Sequence, residues 1–112
     1  MNTSPSTPND AELMDLVERL IQGYRPSKVI LFGSRASGRP DQAGDIDLLI
    51  VKETEERFID RWKTVRRILT DPRRKTPLDT LIMTPLELDH RLAVGDRFIQ
   101  EIMETGIELY AA

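Results

Sequence analysis

Leu31-Phe32-Gly33-Ser34-Arg35-Ala36-Ser37-Gly38 and, a few residues on, Gly44-Asp45-Ile46-Asp47-Leu48-Leu49-Ile50-Val51 are the two stretches whose reading decides the fold. The first closes an apolar run, Lys28-Val29-Ile30-Leu31-Phe32, whose β-branched Val and Ile predict a buried strand that stops at Gly33-Ser34. The second predicts another strand. Its period of two places Asp45, Asp47, Leu49 and Val51 on one face and Ile46, Leu48 and Ile50 on the other. Between them, Gly38, Pro40 and Gly44 predict one short helical turn and then a loop.

Working outward, Leu13, Leu16, Val17, Leu20, Ile21 and Tyr24 recur at helical spacing, with Asn9 as the expected N-cap and an end near Gly23. Phe58, Ile59, Trp62, Val65, Ile68 and Leu69 predict a long helix from about Thr54 to just before Asp71-Pro72, with Phe58 and Trp62 packed in the core. Leu78 to Met83 predicts a third strand that sets Asp79 on the face opposite Leu78, Thr80 and Ile82. Thr84-Pro85-Leu86-Glu87 combines an N-cap Thr, a Pro at the first helical position and a capping-box Glu, so a helix starts there. Gly95-Asp96 separates it from a further helix with Phe98, Ile99, Ile102 and Met103 as its apolar face, and Ile107 to Tyr110 closes the chain as a short strand. The class is α/β, a small mixed sheet with helices packed on it.

The chain has 112 residues, 16 basic against 19 acidic, a net charge of −3, 39% hydrophobic and 31% charged residues, and no cysteine. That length fits one core, so residues 9–112 are expected to form a single domain behind a polar, Pro-rich tail over residues 1–8 that buries too little surface to order itself. Without cysteine there is no disulfide framework and no thiolate zinc site, and His90 is the one histidine. Any metal therefore takes oxygen ligands. No secretory leader and no apolar run near the roughly 20 residues of a membrane span is present, so a cytoplasmic protein without membrane contact is expected. A net negative charge argues against strong DNA binding and leaves a single nucleotide open as a ligand.

The chemistry lies in three linked places: Gly33-Ser34 directly after a strand, Asp45-x-Asp47 on the next strand, and Asp79 in the third. Each is commonplace alone. Together they place carboxylates at the start of a strand that is otherwise Ile, Leu and Val. Two such charges about 4 Å apart repel by roughly 4 kcal/mol at an effective dielectric near 20. A divalent cation reverses the sign of that interaction, and Mg²⁺ is commonly held by one or two carboxylates plus substrate phosphates. A Gly-Ser turn lets backbone approach a phosphate closely. The set describes phosphoryl chemistry in which a metal clamps a triphosphate and a third carboxylate accepts the proton of an attacking hydroxyl. No P-loop and no kinase loop is present.

On those residues the chain resembles the minimal nucleotidyltransferases of the DNA polymerase β superfamily. The likeness extends over the opening helix, Leu78-Asp79-Thr80-Leu81-Ile82 and the helix-Gly-strand ending. It departs where the family often has a basic residue in place of Ser37 and a Ser in place of Gly44. The resemblance implies a polymerase β-type palm in which Gly33, Ser34 and Arg35 bind the nucleotide triphosphate. It also implies Asp45, Asp47 and Asp79 as the catalytic, Mg²⁺-binding carboxylates, with ATP as substrate. Small stand-alone members of this family commonly resemble antitoxins that transfer AMP to a tyrosine of a HEPN-type toxin. The resemblance thus implies a partner protein, an expectation strengthened by the little room 112 residues leave for an acceptor domain. A binding-only antitoxin or regulatory module and transfer to a small molecule are the alternatives, and self-association is left open.

Other residues have plainer readings. Arg39 and the basic series Arg66, Arg67, Arg73, Arg74 and Lys75 read first as solvated positions and second as contacts for phosphate or a partner. His90 reads as an exposed polar residue, and Tyr24 and Tyr110 as partly buried packing residues.

Overall fold

A computed structural model describes residues 10–37, 44–74 and 76–112. The expected tail, the Asn9 cap, Arg39 and Lys75 lie outside the described residues. Four strands form one sheet in the order β3-β2-β1-β4: β1 (Lys28–Phe32), β2 (Ile46–Val51), β3 (Leu78–Met83) and β4 (Ile107–Ala111). β1 runs antiparallel to both β2 and β4, whereas β3 is parallel to β2, so the sheet is mixed. A parallel pair needs a long crossover, and α2 (Phe58–Leu69) supplies it.

Strand alternation divides the core into two layers. Val29 and Leu31 of β1, Ile46, Leu48 and Ile50 of β2, and Leu78 and Ile82 of β3 pack against α1 (Asp10–Gly23) and α2 through Leu13, Leu16, Leu20, Val65 and Leu69. On the other face Ile30, Leu49, Val51 and Met83 meet Leu88 of α3 (Pro85–Ala93) and Ile99 and Ile102 of α4 (Arg97–Thr105). Asp47 belongs to the face of Leu49 and Val51, at the end where β1 leaves the sheet.

Local chemistry explains the element ends. The expected capping box is present: Thr84 Oγ1 accepts from Glu87 N at 3.1 Å, and Glu87 Oε1 accepts from Thr84 N at 3.0 Å. Asp96 caps α4 by accepting from Ile99 N at 3.1 Å. A Cβ on Gly106 would lie 2.5 Å from Ile102 O and 2.6 Å from Ile30 Cγ2, so only glycine lets α4 turn into β4 against β1.

Two expectations about helical faces need correction. α2 starts at Phe58 and not near Thr54, because Thr54 Oγ1 accepts from Glu56 N and holds that segment in a turn. Its buried stripe is Arg61, Val65 and Leu69, which leaves Phe58 61% and Trp62 40% exposed. Arg61 wins the inward position because it finds polar partners there. Its Nε donates to Glu56 O at 2.9 Å, and its Nη1 and Nη2 form a two-pronged pair with Glu87 at 2.7 and 3.0 Å. Trp62 lies outside this stripe, with the Arg66 guanidinium 5.1 Å from its ring centre. Phe98 likewise is 56% exposed and does not share the buried face of Ile99 and Ile102. Tyr24, at 6%, is more deeply buried than expected, and His90 is exposed.

Candidate active site

β1 ends at Phe32, and the chain turns at once through Gly33 into a 3-10 turn over Gly33–Ser37. Gly33 adopts φ +79, a region L side chains rarely enter, and a Cβ there would lie 2.2 Å from Asp47 Oδ2. Glycine is therefore required twice over. Backbone at the turn comes right up to a carboxylate, and Ser34 follows it on the exposed side.

Asp47 sits beside Phe32 in the β1–β2 register and beside Asp79 in the β2–β3 register. Asp45 stands just before β2, exposed, two residues from Asp47. Burial pushes the Asp47 carboxyl up to about 6, and the charges of Asp79 and Asp45 and a hydrogen bond with Asp79 act in the same direction. The parallel pairing of β2 and β3 thus brings together acids that are far apart in sequence. Among the described residues no three acids or imidazoles close into a ready-made cation cage. The donors are all oxygen and mutually repulsive, which suits a hard divalent cation completed by phosphate oxygens and water, and the missing Cβ of Gly33 is what makes room for the Asp47 carboxylate.

Arg35 takes a different place from the one the sequence suggests. Its side chain is turned into the protein at 4% exposure, Nε donates to Gly44 O at 3.0 Å, and Nη1 is buried without a hydrogen-bond partner among the described residues. It thereby ties the Gly33 turn to the residue preceding Asp45. Sequence reasoning also passes over the neighbour on the β1 side, where the rings of Phe32 and Phe98 meet edge to face at 5.9 Å. The expected apolar spacing of α4 includes Phe98 but does not show that it stands against Phe32, the register neighbour of Asp47.

A family model for the polymerase β nucleotidyltransferase domain matches residues 15–112. The chain belongs to that family. Its fold is similar to a crystal structure of a protein from Sulfolobus solfataricus described as a candidate nucleotidyltransferase: TM-score 0.62, 21% identity, covering 90% of this chain and 78% of that one. No curated protein matches it at the same stringency. The matched span contains the Gly33 turn, which follows β1, and the three aspartates at the starts of β2 and β3. No helix among the described residues is long and apolar enough to cross a membrane.

Proposed function

We propose that the domain transfers AMP from ATP to a hydroxyl of a partner protein, a tyrosine of a HEPN-type toxin, with Mg²⁺ held by Asp45, Asp47 and Asp79. The supporting observation is the convergence at Asp47: a required glycine on one side and a register-paired aspartate on the other.

In this reading Gly33 and Ser34 receive the triphosphate, and Arg35 acts from behind by fixing that turn relative to Asp45. When bound, the cation offsets the charge of the acids and of the phosphates. Asp79 takes the proton from the acceptor hydroxyl, whose oxygen then bonds to the α-phosphorus. The bond from that phosphorus to the β-phosphate bridging oxygen breaks, and pyrophosphate leaves with the electron pair. Asp79 suits this part because it is exposed at the outer strand, where an acceptor has access.

The test is transfer of label from α-labelled ATP, with Mg²⁺, to the product of the adjacent gene. Label should move with the wild type and be lost with Asp45→Asn and Asp47→Asn. Label that moves equally well with those variants overturns the assignment of the acids. Absence of transfer with retained binding of the partner would favour the binding-only module.

A further inference from the structure

The Phe32–Phe98 pair adjoins the acids on the flank away from Asp79. Phe32 is the register partner of Asp47 on β1, while Asp79 is its partner on β3, so the two lie on opposite sides of β2. Scattered exposed apolar side chains are ordinary and need no explanation. Phe98 differs in where it stands and in how firmly it is held. The T-shaped contact, with 83° between the rings, leaves at least one face of Phe98 uncovered by Phe32, and the side chain is 56% exposed. Its helix is fixed at both ends. Asp96 caps the first turn and is itself paired with Arg91 at 3.3 Å, while Gly106 lies against Ile30 and Leu31 at the last. Ile99, next to Phe98, is buried in the core. A ring so held meets a ligand at low cost in side-chain entropy.

The geometry points to Phe98 as a stacking platform for the base of the nucleotide. This inference rests on the nucleotide-transfer reading above and deepens it. In-line displacement puts the acceptor and the departing pyrophosphate on opposite sides of the α-phosphorus. With the acceptor on the Asp79 flank, the pyrophosphate leaves toward the Gly33 turn, and the ribose and base, which branch from the α-phosphorus across that line, come within reach of the Phe32–Phe98 edge. A phenyl ring offers a π-face and no hydrogen-bonding group, so it holds any base by stacking and favours purines by their larger area. Base choice is accordingly broad at this position.

The test compares binding of Mg·ATP and Mg·tripolyphosphate to the full chain by calorimetry. Phe98→Ala should weaken ATP about 10-fold and leave tripolyphosphate unchanged. Phe98→Leu, which keeps apolar bulk without a π-face, should lose nearly as much, and Phe98→Tyr should restore affinity. Equal loss for both probes would assign Phe98 a purely structural part and overturn the platform, as would full ATP affinity in Phe98→Ala or Phe98→Leu. If the wild type binds neither probe, the nucleotide reading falls and the platform with it. If it binds both and the variants do not separate them, only the platform falls.

Discussion

Asp47 and Asp79 are directly paired across the parallel β2–β3 ladder, although 31 residues separate them in the chain. Asp47 is partly buried and repelled by both Asp79 and Asp45, so in the absence of cation its charge works against the fold. Asp47→Asn removes that charge and keeps the shape. In chelator-treated protein the variant should be more stable than the wild type by on the order of 1 kcal/mol, a rise of roughly 4–8 °C in Tm. Adding Mg²⁺ with ATP should stabilise the wild type and leave the variant unmoved. Paired melting curves check both halves, and a variant less stable than the metal-free wild type would contradict the repulsion.

Gly33 and Gly95 provide a matched comparison. Both have φ near +80, but a Cβ on Gly33 would strike the Asp47 carboxylate, whereas nothing lies within 4 Å of one on Gly95. Gly95→Ala should therefore show the backbone strain alone, about 1–2 kcal/mol, with Mg·ATP affinity intact. Gly33→Ala should show at least that loss and also displace Asp47, so that Mg·ATP binding falls sharply. Denaturant unfolding and calorimetry on the two variants separate strain from contact.

The strands and the Gly33 turn are legible in the sequence because their signals are local, whereas the pairing of Asp47 with Asp79 is set by the β2–β3 register. Ile46 to Val51 is apolar and aliphatic apart from Asp47, and Gly33-Ser34 ends an apolar run abruptly. The buried face of α2 is not local. Phe58, Trp62 and Val65 form one plausible stripe and Arg61, Val65 and Leu69 another, and the choice is made by Glu87, far along the chain, and by Glu56 O. Periodicity alone favours the aromatics. The observed packing predicts that Leu69→Ala, at a residue 1% exposed, costs about 3 kcal/mol, while Trp62→Ala, at one 40% exposed, costs about 1 kcal/mol. A larger loss at Trp62 than at Leu69 in urea titrations would reverse the assignment of the helix face.

Arg61 and Glu87 bind α2 to the start of α3, and Glu87 does so while also closing the capping box with Thr84. Arg61 is nearly buried and Glu87 about half exposed, so the pair lies between the strong and the weak limits for ion pairs. Glu87→Gln retains an oxygen for Thr84 N but leaves the guanidinium without its counter-charge, and should cost about 2 kcal/mol, or roughly 10 °C in Tm, near pH 7. The hydrogen bonds from Arg61 hold the Glu87 carboxyl below its ordinary value of 4.5. A carboxylate shifted downward adds stability above its unfolded-state pKa and loses it as the pH falls through the lower, folded-state value. The stability gap between wild type and Glu87→Gln should therefore be constant from pH 7 to about 5 and narrow below about 4.5. Melting curves collected across that range test it, and a gap that stays open at the acid end would show that the carboxylate charge is not what braces the two helices.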